Sequence, residues 1–251
     1  MRPIITLLTD FGTADGYVAE LKGVLFSAAP DATVVDLSHD IPPQDVESAR
    51  LAVARYWRRF PGGTVHVVVI DPSVGSARGA LAVSCDGRFL VGPDNGVLSP
   101  SLLAGGSRAV SLPIPSTASA TFHGRDVFAP AAASLATGTP IDSLGAACLE
   151  PVIRRTPEAR RGGDGSIQGE VIAIDRFGNA ISNLIAPRGG RIEIRGRVMP
   201  IVRTYSDAAV GDVVALVGSS GFVEIAQRDG NAARALELTR GTPVTLRSPG
   251  A

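Results

Sequence analysis

The stretch Pro3 to Thr9, an apolar run stopped by Asp10 and Gly12, constrains this chain more than any other feature. A run of that kind reads as a strand buried on both faces. From Tyr17 the spacing changes: Val18, Leu21, Val24 and Leu25 recur three and four residues apart, which places them on one side of a helix. The alternation then repeats, with Thr33 to Leu37 as a strand, Val46 to Trp57 as a helix and Thr64 to Ile70 as a β-branched buried strand. Strands and helices in alternation predict a mainly parallel sheet covered by helices.

Further along, Leu81 to Val83 and Arg88 to Val91 flank the turn dipeptide Asp86-Gly87, so the sheet is expected to gain antiparallel members there. Phe128 to Ala136 predicts another helix. Residues 154–166 hold Arg, Gly, Asp and one Pro without apolar periodicity, and are expected to link an α/β domain over 1–153 to a second domain over 167–251. In that second domain Val171 to Ile174, Arg191 to Ile194, Val213 to Leu216, Phe222 to Ile225 and Val244 to Leu246 read as short strands with Gly-rich punctuation and no helical pattern. A small β-barrel or sandwich is the expected result.

Lys plus Arg equals Asp plus Glu at 24 each, so no net field draws the chain to nucleic acid or to an anionic membrane, and a small-molecule partner is expected. Cys85 and Cys148 lack the paired spacing of a zinc site or disulfide framework and read as reduced core thiols. The run Ile4 to Leu8 is too short for a signal-peptide core or a membrane span, which makes a cytoplasmic location the expectation. Neither Gly-x-Gly-x-x-Gly after the first strand nor a Gly-Lys-Ser/Thr phosphate loop is present, and no Cys and His set marks a metal. An enzyme built on this chain is therefore expected to need no cofactor and to work with carboxylate, guanidinium, imidazole and backbone dipoles.

In an open α/β sheet a ligand sits beyond the carboxyl ends of the strands, which singles out Asp10 and Asp71 at the ends of the first and third strands. Asp10 could accept both hydroxyls of a ribose diol, since an ionised carboxylate offers paired acceptor oxygens; an Asx turn or helix cap explains it equally. Asp71 opens Asp71-Pro72-Ser73-Val74-Gly75-Ser76-Ala77-Arg78, where Pro72 and Gly75 bend the chain enough to return the Arg78 guanidinium to the carboxylate. Such a pair could hold a water, or could be a salt bridge that staples the loop. His123, in Thr121-Phe122-His123-Gly124-Arg125-Asp126, suits handling a water proton, with a capping or surface role as its plainer explanation. Asp175-Arg176-Phe177-Gly178-Asn179 and Ser219-Ser220-Gly221 could offer amides, hydroxyls and an aromatic face to a base. Asn, Gly and Ser also populate hairpin loops for conformational reasons alone, and Pro93-Asp94-Asn95-Gly96 reads first as a turn.

In order and spacing, Thr9 to Gly12, Asp36-Leu37-Ser38-His39-Asp40-Ile41, Asp71 to Arg78, Pro93 to Gly96, Thr121 to Asp126, Asp175 to Asn179 and Gly230-Asn231-Ala232-Ala233 resemble the S-adenosyl-L-methionine hydroxide adenosyltransferase family over nearly the whole chain. The resemblance implies an α/β N-terminal domain, a C-terminal β-barrel, and a homotrimer with active sites between neighbouring subunits. It implies cleavage of S-adenosyl-L-methionine by water at the ribose C5′, giving adenosine and L-methionine. Asp71, Arg78 and His123 match the positions around the attacking water, and Asp10 the position that holds the ribose hydroxyls. Phe177, Asn179, Tyr205, Ser219, Glu224, Asn231 and Ala232 match the side that meets the purine and methionine from the other subunit.

Ser73 departs from the family's usual Asp-Pro-Gly-Val-Gly turn. In relatives that use fluoride or chloride, the His position resembles a Tyr and the following Gly a Ser that contacts halide. His123 and Gly124 keep the water-using pattern, so hydrolysis is expected over a halide-dependent transfer. A non-catalytic adenosine-binding protein is the remaining alternative.

Overall fold

The structure, a computed structural model, describes residues 2–186 and 189–247. Met1, residues 187–188 and the last four positions of the expected second domain lie outside the described residues. The chain divides into two compact units, Met1–Arg155 and Thr156–Ala251.

In the first unit, β1 (Ile4–Thr9), α1 (Tyr17–Ala28), β2 (Thr33–Ser38), α2 (Val46–Tyr56) and β3 (Val65–Val69) follow the alternation read from the sequence. They are followed by β4 (Ala80–Cys85), β5 (Arg88–Pro93), α3 (Ser99–Leu102), β6 (Arg108–Ser111), α4 (Ala129–Ala136) and β7 (Ala146–Ala147). The sheet order is β2-β1-β3-β5-β4-β6-β7; its first four strands are parallel, and β4, β6 and β7 add antiparallel pairings. Asp86 and Gly87 both take left-handed φ, 49° and 68°, as a two-residue hairpin turn matched to the twist of its strands requires.

Ile5, Leu7, Val65 and Val67 bury one face of this sheet with Leu21 and Leu25 of α1 and Ala132 of α4. Leu8, Val68 and Ile70 bury the other with Ala49 and Val53 of α2. Cover on both faces is why β1 and β3 lack the polar alternation of a half-exposed strand. Thr9 pairs with Val69, so Asp10 and Asp71 follow the carboxyl ends of two neighbouring parallel strands.

The second unit holds β8 (Arg160–Arg161), β9 (Ile167–Ile174), β10 (Ala180–Ser182), β11 (Arg191–Ile194), β12 (Arg197–Val202), β13 (Val213–Val217), β14 (Val223–Gln227), α5 (Ala232–Ala235) and β15 (Pro243–Arg247). Strands pair in the order β10-β14-β13-β12-β11-β15-β9, and β9 pairs back with β10, closing a seven-stranded barrel. Closure removes the open edges that a short sheet of this size would otherwise expose. Two features differ from the sequence reading. Arg160 and Arg161, within the stretch expected to be a linker, pair with β9 across a turn in which Asp164 accepts from Ser166 N and Oγ. One turn of helix, α5, is present where no helix was expected, because the Asn231 side chain caps it by accepting from Arg234 N at 2.8 Å.

Candidate active site

The Asp71–Arg78 loop leaves β3 and returns to β4, and its two ends are held by one neighbouring turn. Asn95 Nδ2 donates to the carbonyl of Ile70, just before Asp71, at 2.8 Å. Asp94 N donates to the carbonyl of Gly79, just after Arg78, at 2.9 Å. Sequence reading treated Pro93 to Gly96 as a turn; its site-building role has no signal in the turn residues themselves.

Inside the loop the Arg78 guanidinium is almost fully enclosed. Nε donates to Asp71 Oδ1 at 3.0 Å, Nη2 to Asp71 Oδ2, and Nη1 to the Gly79 carbonyl at 3.1 Å. The Phe128 ring lies 5.4 Å from its central carbon. Nη2 also meets His123 Nδ1 at 2.7 Å, across 45 residues of sequence. Arginine has donors only, so Nδ1 is the unprotonated nitrogen and Nε2 carries the hydrogen. His123 is 3% exposed and heads the π-helical turn Gly124–Phe128. Burial, and then the charge of Arg78, hold its pKa below the ordinary imidazole value. Neither the loop staple nor the surface cap considered for these residues describes them fully, because the three groups form one buried cluster.

Asp71 and His123 line a cavity of about 550 Å³, with Asp10 and Gln44 also in its wall. Asp10 Oδ2 accepts from Gln44 N at 2.7 Å, and Gln44 has a left-handed φ of 67°. Sequence reasoning missed Gln44, whose conformation carries no residue-type signal. Phe11, Tyr17 and Phe122 supply an apolar wall, packed edge to face with centroids 5.4–6.0 Å apart.

In the second unit a cavity of about 660 Å³ is lined by Phe177, Asn179 and Tyr205 among others. Phe177 is 74% exposed, an unusual state for a large apolar ring. Asn179 is committed locally: its N and Nδ2 donate to the two Asp175 carboxylate oxygens at 2.8 and 2.9 Å. Tyr205 donates to Glu224 Oε2 at 3.3 Å, and burial followed by that carboxylate pushes the phenol pKa up. Glu224, Ser219, Asn231 and Ala232 do not line this cavity. Ser219 is exposed on the β13–β14 loop, Asn231 caps α5, and Ala232 is fully buried in the barrel core.

The sequence models for the "SAM hydroxide adenosyltransferase N-terminal domain" and its C-terminal counterpart match residues 5–145 and 169–245. The chain belongs to the SAM hydroxide adenosyltransferase family. Among its relatives, the (R)-S-adenosyl-L-methionine hydrolase of Thermus thermophilus is 44% identical, over 98% of this chain and 100% of that one. A fluorinase of an Actinoplanes species is 28% identical over 98% and 97% of the two chains. A crystal structure of a conserved hypothetical protein from Thermus thermophilus superimposes with a TM-score of 0.83 and 43% identity, covering 98% and 100% of the two chains.

Two glycine positions gain meaning against the family pattern. Ser73, which the family resemblance marked as a departure, does not take a left-handed φ, so a side chain is tolerated there. Gly75 does, at 76°, and a Cβ on it would overlap the Ala120 carbonyl. At Gly124, a Cβ would lie 3.2 Å from both Leu21 Cδ1 and Phe122 Cε2, so a side chain there needs those two neighbours to shift by a few tenths of an ångström. Among the described residues, no group of three or more His, Cys, Asp or Glu side chains is placed to hold a metal ion.

Proposed function

We propose that this protein hydrolyses (R)-S-adenosyl-L-methionine at the ribose C5′, giving adenosine and L-methionine. One observation carries the reading: a carboxylate and a neutral imidazole that line one cavity are joined by a buried guanidinium, in a chain 44% identical to a hydrolase of that name.

The sulfonium leaves as a neutral thioether, so the reaction needs neither a proton donor nor a Lewis acid on the leaving group. No metal or other cofactor is part of the proposal. Attack of a hydroxide-like water on a cation removes charge in the transition state, which a site emptied of solvent favours over bulk water. Arg78, charged at any working pH, stabilises the hydroxide character. His123 offers Nε2–H to the water as a donor, because Nδ1 is taken by Arg78. Asp71 keeps lone pairs beyond those that Arg78 uses, and is the member of the cluster able to receive the proton. Water oxygen bonds to C5′, the C5′–S bond breaks with its electron pair on sulfur, and the proton passes to Asp71 and then to solvent.

Asp10 holds the ribose hydroxyls in this reading, and the purine and methionine are met by Phe177, Asn179, Tyr205, Ser219, Glu224, Asn231 and Ala232. Those groups act from a neighbouring subunit of a homotrimer. A cytoplasmic protein fits the reading; no helix among the described residues is long and apolar enough to cross a membrane.

The test is incubation with each sulfonium epimer in ¹⁸O-labelled water. The R epimer is expected to give methionine and adenosine labelled at the 5′-hydroxyl. Intact substrate at high enzyme concentration refutes the proposal, and a chloride-dependent 5′-chloro product replaces it with halide transfer.

A further inference from the structure

The segment Asp36 to Ile41 lines neither cavity, yet it is bonded on both sides of Asp10. Its placement comes from a slip in strand pairing. β1 and β2 run in step from Ile4 opposite Thr33 to Leu7 opposite Asp36, and then Leu8 faces Ser38, so Leu37 has no counterpart. This bulge advances β2 by one residue and brings His39 level with Thr9 where Ser38 would otherwise stand.

His39 is 6% exposed, and its Nδ1 meets Thr9 Oγ1 at 2.8 Å. Its carbonyl accepts from Gly12 N at 2.8 Å. Thr9 Oγ1 accepts in turn from Phe11 N at 3.3 Å. On the far side of the ring, Nε2 lies 3.0 Å from Asp36 Oδ1, off the line of its N–H, while Lys22 Nζ donates to Asp36 Oδ2 at 2.6 Å. A carboxylate at that distance favours a proton on Nε2, which leaves Nδ1 as acceptor for the Thr9 hydroxyl. The residue before Asp10 and the second residue after it are thus tied to one histidine. Gln44 N occupies Asp10 Oδ2, so the carboxylate itself is also fixed in rotation.

We propose that His39 is a positioning residue for ribose recognition: by tying Thr9 and Gly12 it holds Asp10 at the orientation that grips the ribose diol. The inference rests on the assignment of Asp10 to the ribose under the proposed function. A histidine that merely stabilised the fold would weaken every ligand alike. One that aims Asp10 acts only on ligands that carry the hydroxyl.

The experiment is calorimetric titration of the full chain with adenosine and with 2′,3′-dideoxyadenosine, which lacks both hydroxyls of the diol. The wild type is expected to favour adenosine by about tenfold or more, the loss typical when a charged acceptor is deprived of its hydroxyl partner. In His39→Ala and in Thr9→Val that preference drops to about threefold or less, with 2′,3′-dideoxyadenosine affinity within about twofold of wild type. His39→Asn, whose amide oxygen can take the place of Nδ1, restores most of the preference. An undiminished preference in either folded variant, or equal loss for both ligands, overturns the role of His39. If His39→Ala does not fold, the near-isosteric Thr9→Val decides alone. A wild type that binds adenosine no better than the dideoxy nucleoside takes Asp10 off the ribose and with it the assignment on which the role of His39 rests, a result distinct from a preference that the variants keep.

Discussion

Arg78 Nη2 and His123 Nδ1 face each other at 2.7 Å as donor and acceptor, which fixes the imidazole as neutral and points its one hydrogen the other way. Protonating Nδ1 would set an N–H against the guanidinium. The pKa of His123 is lowered first by burial and then by Arg78, so the working form is the unprotonated one. Turnover is expected to be level above neutrality and to fall only as the pH drops below the ordinary imidazole value of 6.5. The same shift costs stability on the acid side: the unfolded chain binds the proton first, so stability is full above 6.5 and declines as pH falls through the lowered folded value. A kcat profile that rises toward acid pH would assign His123 to proton donation in its charged form and reject this arrangement.

Asn95 is expected to act on turnover without touching substrate. Replacing it by Ala leaves the Ile70 carbonyl without the 2.8 Å donor that anchors the start of the Asp71 loop. An unsatisfied buried acceptor costs about 1–3 kcal/mol of stability. Loss of alignment at the water site is expected to lower kcat by roughly tenfold to a hundredfold. Adenosine affinity should stay near the wild-type value, because Asp10 is anchored by a different set of bonds. Steady-state kinetics beside an adenosine titration check the split; a parallel loss of affinity and turnover would make Asn95 a general support of the fold.

Much of this arrangement was legible before the fold was known, and the boundary follows from physics. β1, β3 and the Asp86-Gly87 hairpin were readable because burial on both faces and left-handed turns leave residue-type signatures. The Asp71–Arg78 pairing was readable because Pro72 and Gly75 bend one short loop. Their convergence with His123 came only through the family resemblance, since no local pattern records an approach across 45 residues. β8 was hidden in the Arg- and Gly-rich stretch 154–166, where two residues pair on one strand without an apolar period. Asn231 and Ala232 entered by resemblance alone, since neither the capping of α5 by Asn231 nor the burial of Ala232 leaves a local pattern in the run Gly230 to Ala233.

Phe177 is expected to carry much of the affinity for the base. An exposed ring on the wall of the second-unit cavity, held by the Asp175 turn through its own N–H at 2.9 Å, is preorganised for stacking. Stacking of one base on an aromatic side chain contributes about 1–3 kcal/mol, so Phe177→Ala should weaken adenosine binding by roughly tenfold or more. The thermal transition should hardly move, since the ring is mostly in solvent. Unchanged affinity in a calorimetric titration would place the purine elsewhere.

Gly124 tests why this chain keeps the water-using pattern. A Ser there would bring Cβ to 3.2 Å from Leu21 Cδ1 and Phe122 Cε2, and Leu21 is fully buried in the core shared by β1, α1 and α4. Room for the serine requires Leu21 and Phe122 to give way by a few tenths of an ångström, and both are packed in that core or beside it. Gly124→Ser is therefore expected to cost about 1–3 kcal/mol by overpacking, and to slow hydrolysis without making a halide-dependent product. Shortening the obstructing side chain separates the two effects. Leu21→Ala alone opens a cavity, but combined with Gly124→Ser it should be less damaging than the sum of the single changes, by about 0.5–3 kcal/mol of coupling. Urea unfolding of the four proteins measures that coupling. Strict additivity, or a Gly124→Ser protein as stable as wild type, would mean that packing does not exclude the serine and that the choice between water and halide lies with His123.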